Sequence, residues 1–325
     1  MVVLTYRRRR QVLSLLPLLL AQAADASVRT GVGARVLVID NNADEEDRTG
    51  VIQLTGVWSV PLVYVHEPRP GIPAARNRAL DACSDSDLLV FIDDDEEPTP
   101  GWLVALLRTH ARTAASAVVG AIVPSYEATP SPWVLAGRFF ERPRHPTGTP
   151  VRAAATSNLL LDLKVTRALG LRFDERLGLC GGDDTLFTRS LVRLGGSIIW
   201  CDEAVVVDLV PRARARMSWV LARALRSGNT WALTALLLET DRRGRARVRV
   251  VSAVGGCARL AWGLGMTTAA SLVPNRARRA SGARTAARGA GMALGAAGIA
   301  YLEYLRPPHR RFANRFTTVG SLGPT

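Results

Sequence analysis

The sequence predicts an α/β domain: a doubly wound, mainly parallel sheet with helices on both faces, followed by a C-terminal helical extension. Three observations carry that prediction. Short continuous apolar runs alternate with helix-period segments through residues 1–210, the pattern of strands covered on both faces. Several of these runs end in acids, where α/β sheets hold their ligands. The charge also divides along the chain: residues 1–205 hold 22 Lys+Arg against 24 Asp+Glu, net −2, whereas residues 206–325 hold 20 Arg against 4 acids, net +16. A chain of 325 residues has room for one large core and an appendage, and the boundary is predicted at 210, with 211–325 an Arg-rich helical region.

The elements follow in order. "VVLTY" (2–6) reads as the first strand. The chain begins inside it, so either that strand is short or the reading frame starts further upstream. "RRRRQVLSLLPLLLAQAADA" (7–26) also resembles a secretory signal, with a positive region, an apolar region and small residues. The strand ahead of it favours a helix near 10–25 instead, with Leu15, Leu16, Leu18, Leu19 and Leu20 packed on the sheet. Further strands are read in "ARVLVID" (34–40), "PLVYVHE" (61–67) and "DLLVFID" (87–93), with a helix from Pro73 to Ala82 and another opened by "PTPGWL". Residues 124–155, rich in Pro, Arg and aromatics, are long for a connection, and such loops are usually functional or mobile. "SNLLLDL" (157–163) is a strand. "GGDDTLFTRSLVRLGG" (181–196) opens a helix with Leu186, Phe187, Leu191 and Leu194 on its apolar face, and "SIIWCDEAVVVDLV" (197–210) completes the core.

The extension holds two apolar segments, 250–273 and 289–305, the first broken by Arg259 and the second by Glu303. The first is long enough to span a bilayer. Arginines flank both, at 242–249, at 276, 278, 279, 284 and 288, and at 306, 310, 311 and 315. A spanning hairpin sets such charge on both sides and buries Arg259, against the positive-inside bias. The preferred reading is helices in the headgroup region or re-entrant, held by apolar faces and anionic lipid at the cytoplasmic face of the membrane; a soluble helical cap is the alternative. No nucleic-acid partner is expected, because zinc spacings and recognition motifs are missing. Cys83, Cys180, Cys201 and Cys257 lack CxxC spacing and read as buried free thiols.

The chemistry is read from two acidic clusters. Asp93–Glu97 follow an apolar strand, and alternation along a strand lets Asp93 and Asp95 share a face while Asp94 points elsewhere. Two carboxylates so placed suit Mn2+ or Mg2+ holding a diphosphate, with Glu96 and Glu97 solvated in the turn beyond. The second cluster, Asp183–Asp184, follows Gly181–Gly182 and reads either as a general base or as acids complementing a helix N-terminus. Arg223 and Arg226 either pair with a diphosphate or form a solvated face.

The run of "VVLTYRR", "VLVIDNN", "GIPAARNRAL", "FIDDDEEPTPGWL", "SNLLL", "FDERLG" and "GGDDTLFTRSLVRLG" resembles, in order and spacing over about residues 1–210, the inverting family 2 glycosyltransferases of GT-A fold. The resemblance implies a divalent metal, a nucleotide-sugar donor, and a saccharide or lipid-linked acceptor in polysaccharide, cell-wall or glycolipid synthesis. It places Thr5, Tyr6 and Asp40 at the nucleotide base and Arg76 and Asn77 on the nucleotide side. Asp93 and Asp95 become the DxD motif, with Asp95 on the metal, and Asn158 lies near the donor. Asp184 becomes the general base. Asp183 stands where Glu is usual, a shorter reach toward the acceptor, and the histidine ligand often found after the last core strand is replaced by Asp208 or by nothing. The rivals are a metal-dependent nucleotidyl- or phosphotransferase using the same acids, and a non-enzymatic basic membrane-surface protein. A P-loop enzyme is disfavoured, since no GKS or GKT occurs.

Overall fold

The computed structural model describes residues 1–45, 48–56, 58–272, 275–303 and 316–318. The chain enters through β1 (Val2–Thr5), α1 (Arg9–Thr30), β2 (Val36–Asp40), α2 (Arg48–Ile52), β3 (Leu62–His66), α3 (Ile72–Ala82) and β4 (Leu88–Asp93). It continues through β5 (Glu96–Pro98), α4 (Trp102–Thr113), β6 (Ala117–Tyr126), α5 (Pro132–Ala136), β7 (Asn158–Asp162), α6 (Leu163–Ala168), α7 (Asp183–Arg193) and β8 (Ile198–Val210). The C-terminal part is α8 (Met217–Leu238), α9 (Arg242–Leu272), α10 (Arg276–Ala296), β9 (Ile299–Tyr301) and β10 (Phe316–Thr318).

Eight strands form one sheet in the order β3-β2-β1-β4-β7-β6-β8-β5. The β3-β2-β1-β4 half is parallel, as its apolar runs predict. The chain then reverses: β7 lies antiparallel between β4 and β6, and the short β5 closes the far edge antiparallel to β8. Two layers cover the sheet. On one face, Val12, Leu15, Leu16, Leu19 and Leu20 of α1 pack with Trp102 and Leu106 of α4; on the other, α3 and α7 pack Ala75, Ala79, Phe187 and Leu191 around Phe91 and Phe173. Burying α1 this way withdraws most of its apolar surface from water, at about 25 cal/mol per Å².

Several expectations are corrected. Leu18 lies on the outer side of α1, 40% exposed, and Leu194 ends α7 at 53% exposed, because neither shares the helical face of its buried neighbours. β6 was not anticipated: the alanines and glycine of "AASAVVGAIV" mask a strand that pairs with β8 over ten residues. Glu96 is buried in β5 rather than solvated in a turn. Cys257 is exposed, unlike the other three thiols. The second apolar segment is a helix only to Ala296 and then becomes β9; its residues 304 and 305, Val273 of the first segment and the arginines at 306–315 lie outside the described residues.

The C-terminal helices interlock through glycine. A Cβ on Gly228 would meet the Arg288 carbonyl oxygen at 2.0 Å, and one on Gly291 the Leu225 carbonyl oxygen at 1.8 Å, so α8 and α10 touch backbone to backbone. Gly256 and Gly263 of α9 approach Gly289 and Gly282 of α10 in the same way. Among the described residues, only α1 is long and apolar enough to cross a membrane, and it is packed on the sheet.

Candidate active site

The carboxyl ends of β1, β2 and β4 open on one cleft of about 1450 Å³. β1 and the turn after it contribute Thr5, Tyr6 and Arg8; β4 and β5 contribute Asp93 to Glu96; α3 contributes Arg76, and the first turn of α7 contributes Asp184. The C-terminal part supplies Arg214, Trp219, Arg223 and Arg226, and the long connection supplies Phe140, Arg142, Thr156 and Ser157.

The acidic cluster is partly matched by arginine. Arg8 donates to Asp94 at 2.6 Å and to Asp95 at 3.0 Å, and Arg214 donates to Asp95 at 3.0 Å. Asp94 therefore does not point away from Asp95: β4 ends at Asp93, and the turn over 94–95 replaces strand alternation. Burial pushes the Asp93 carboxyl up to about 7, Arg76 opposing and Asp95 and Asp94 adding to the rise. Burial likewise takes Asp94 up to about 6 against the pull of Arg8. Glu96, 3% exposed, is raised well above the carboxylate range by burial and by Asp93. Its strand partner is Asp208, which burial and the charge of Asp95 also raise.

The second cluster is built by two left-handed glycines. Gly181 and Gly182 have φ of 72° and 94°, and a Cβ on Gly182 would strike Thr230 Cγ2 of α8 at 2.1 Å, so only glycine allows this turn. The turn presents Asp183 and Asp184 at the start of α7. Asp183 faces inward, 3% exposed, and receives Arg76 Nη1 at 2.5 Å. Burial and Asp184 raise its carboxyl against Arg76. Burial alone would lower Arg76, but Asp183, Asp184 and Asp93 together raise it. Arg76 thus stands among the carboxylates of both clusters and couples them. Asp184 lines the cleft, with one oxygen accepting from the Thr185 N–H at 2.6 Å.

Of the residues named from sequence, Thr5, Tyr6, Arg76, Asp93, Asp95, Asp184, Asp208, Arg223 and Arg226 come together on the cleft. Four stand behind it. Asp40 is wholly buried, accepting from Tyr64 Oη at 2.7 Å and from the Asn42 N–H at 2.9 Å; its neighbour Asn41 lines the cleft instead. Asn77 clips α3 to Phe173 and Glu175. Asn158 faces the core, accepting from Trp102 Nε1 at 2.8 Å and donating to the Ala121 and Ala204 carbonyls. Asp183 is the fourth. Arg226 pairs with Glu303, and Arg223 lies over Phe140 and Trp219, whose rings stack 5.7 Å apart. Burial and the neighbouring Arg142 lower Arg223 to about 10, so it stays a cation at neutral pH.

Sequence reasoning missed Arg8, Arg142, Arg214, Phe140 and Trp219. The one signal was the Pro-, Arg- and aromatic-rich segment 124–155, which holds Phe140 and Arg142; Arg8 was hidden in a run of four arginines. Among the described residues, no three His, Cys, Asp or Glu side chains form a ready-made metal cluster, since two arginines hold Asp95.

Residues 1–169 match the family described as Glycosyl transferase family 2. The chain is also 34% identical over 269 residues, 83% of its own length and 84% of the relative's, to the succinoglycan biosynthesis protein ExoM of Rhizobium meliloti. The chain belongs to glycosyl transferase family 2. This family 2 glycosyltransferase also shares its fold with solved structures. A mannosyltransferase from Pyrobaculum calidifontis, in complex with GDP-Man and Mn2+, matches 90% of this chain and 85% of that one at a TM-score of 0.58 and 16% identity. TarS 1–349 from S. aureus, in complex with UDP-GlcNAc, matches 88% and 89% at a TM-score of 0.52 and 13% identity. The fold is therefore GT-A, with a C-terminal helical region.

Proposed function

We propose that this glycosyltransferase moves a sugar from a nucleotide-diphosphate-sugar to an acceptor hydroxyl with inversion, assisted by a divalent cation. The observation that carries this reading is that Asp184 and the Asp93–Asp95 pair line one cleft, with Arg76 among them. Tyr6, Thr5 and Asn41 receive the nucleotide base, and Asp40 braces that wall from behind. Arg223 and Arg226 face the diphosphate, a role suited to planar guanidinium groups.

Asp184 takes the acceptor proton as the oxygen attacks C1 opposite the leaving group, so no covalent enzyme intermediate forms. Asp183, fixed by Arg76, holds the first turn of α7 in place. The oxygen donors Asp95, Asp93 and Asp208 fit a hard cation, Mn2+ or Mg2+, which when bound neutralises charge on the leaving diphosphate. Arg8 and Arg214, which donate to Asp95, would share it with the cation. The cation fits because Asp93, Asp95 and Asp208 line one cleft, and Asp93 and Asp208 are raised by burial and by the charge of Asp95, a repulsion that a cation would relieve.

The description of ExoM as a succinoglycan biosynthesis protein supports a role in polysaccharide synthesis, on a saccharide or lipid-linked acceptor. The complexes of the two structural neighbours with UDP-GlcNAc and with GDP-Man and Mn2+ support the donor class and the metal. The catalytic unit is 1–210, and 211–325 serves both the cleft and the membrane. α9 supports the latter: it packs on α10 and leaves Val250, Val251, Val254, Trp262 and Leu264 more than half exposed, beside Arg242, Arg243, Arg245, Arg247 and Arg249. Such a helix lies in the headgroup plane of an anionic leaflet, here the cytoplasmic one.

The test is release of nucleoside diphosphate from UDP-, GDP- or dTDP-sugars with Mn2+. Asp184→Asn is expected to lower kcat by about 10²–10⁴ while sugar-nucleotide binding persists. Unchanged turnover in that variant, or no donor bound at all, overturns the reading.

A further inference from the structure

Buried polar side chains almost always have partners, and an exception in a native cleft calls for an explanation. Among the described residues, five of the buried side-chain atoms without one belong to cleft residues: Thr5 Oγ1, Glu303 Oε2, Thr156 Oγ1, Ser157 Oγ and Glu96 Oε2. Glu303 is ion-paired with Arg226 and Thr5 ends β1, which leaves Thr156, Ser157 and Glu96. Their residues are 1%, 5% and 3% exposed. An unpartnered buried hydroxyl is costly to a fold, and this chain carries two in successive residues.

Their position is set by the sheet. Asn158 pairs with Ile92 in the antiparallel β4–β7 ladder, so Ser157, one residue back, stands beside Asp93, one residue on. Asn158 turns into the core, and the two hydroxyls precede it on the cleft. Glu96 is close enough to Asp93 to feel its charge. Ser157 and Glu96 therefore both border Asp93, with Thr156 next along the chain. A ligand that satisfies two hydroxyls and a carboxyl, all short of partners, presents several hydroxyl groups of its own. A nucleobase, flat and largely apolar on its faces, satisfies fewer of them.

We infer that Thr156, Ser157 and Glu96 form the subsite that hydrogen-bonds the hydroxyls of the transferred sugar and so select which sugar is taken. The inference rests on the nucleotide-sugar reading above and adds the residues that read the sugar. A site built to bond a hydroxyl rejects an analogue lacking it far more strongly than an apolar pocket does, because its own groups are stranded.

The experiment compares Ser157→Ala and Thr156→Val with the unaltered full-length chain, by calorimetric titration in Mn2+. The ligands are UDP against UDP-GlcNAc and GDP against GDP-Man, followed with the pair that the unaltered chain binds. The expected result is a loss of about 3- to 10-fold per variant in sugar-nucleotide affinity, with affinity for the bare nucleoside diphosphate unchanged. Thermal melting without ligand should be equal or higher in both variants, since removing an unpartnered buried hydroxyl relieves its desolvation. Equal affinities for the sugar nucleotide in variant and unaltered chain overturn the inference. Parallel loss of both ligands, or a lowered melting temperature, assigns the hydroxyls to the nucleotide or to the fold and overturns it as well. If the unaltered chain binds bare nucleotides but no sugar nucleotide gains affinity over them, the subsite falls while the nucleotide cleft stands. If it binds neither, the donor reading itself fails.

Discussion

Asp93 is the residue whose ionisation says most about the cleft. In the fold it stays protonated up to about 7, whereas a free aspartate ionises near 3.8. Between those values the unfolded chain has released a proton that the folded chain retains, so stability falls as pH rises and the penalty is complete above about 7. Asp93→Asn removes it. The variant should therefore gain stability relative to the unaltered chain between pH 4.5 and pH 8, on the order of 1–3 kcal/mol, read from urea midpoints at the two pH values. A difference that does not change with pH, or that changes the other way, contradicts the burial of that carboxyl. The same residue shows what a sequence can reveal. The acids were legible because they stop an apolar strand, and Asp184 because a glycine pair presents it. Asn158 was expected near the donor; its side chain is held in the core, and Thr156 and Ser157 just before it line the cleft. Strand direction is decided by pairing between distant segments, and no local pattern reports it.

At the scale of elements, the parallel half of the sheet was readable from continuous apolar runs and their polar ends. β5 and β6 were not, because β5 is only three residues long and β6 is rich in alanine and glycine at its start. Both gain their structure from β8, a strand of thirteen residues that pairs with β6 on either side of a bulge at 202–204 and with β5 at 206–208. The C-terminal helices show the opposite case. Their composition reads as membrane-seeking, yet their inner faces are seams of glycine that bring α8, α9 and α10 into backbone contact. A side chain at such a seam must push the helices apart, at a cost of about 1–3 kcal/mol. Gly291→Ala, facing the Leu225 carbonyl, should lower the denaturation midpoint by that amount, whereas Gly265→Ala, with open space around it, should leave it unchanged or raise it slightly. Equal effects at the two positions would argue against the tight α8–α10 seam.

Across the whole molecule, the charge asymmetry seen in the sequence takes a spatial form. Asp93, Asp94, Asp95, Glu96 and Asp184 gather at the cleft, and α9 sets several apolar residues outward beside an arginine-rich first turn. If that face meets lipid, replacing Val250, Val254 and Trp262 together by Ser, Ser and Gln should reduce co-sedimentation with vesicles of mixed anionic and zwitterionic lipid several-fold, since each apolar side chain buried contributes about 1.5–3 kcal/mol. High salt should weaken binding of the unaltered chain further. Vesicle binding that ignores both changes would assign membrane contact to another surface.

The glycine turn at 181–182 has a consequence for how this protein is put together. Gly182 has no room for a side chain because Thr230 of α8 occupies that space, and α8 also carries Trp219, Arg223 and Arg226 into the cleft. The division at residue 210 is thus one of composition and not of workmanship. A chain ended there keeps Asp93 to Glu96, Asp183, Asp184 and Asp208 yet loses one side of the chamber and the buttress behind the turn that presents Asp184. The acid-bearing half and the helical half are grown into one another, as the two blades of a pair of scissors are joined at the pivot, and neither is a spare part that can be lifted out whole.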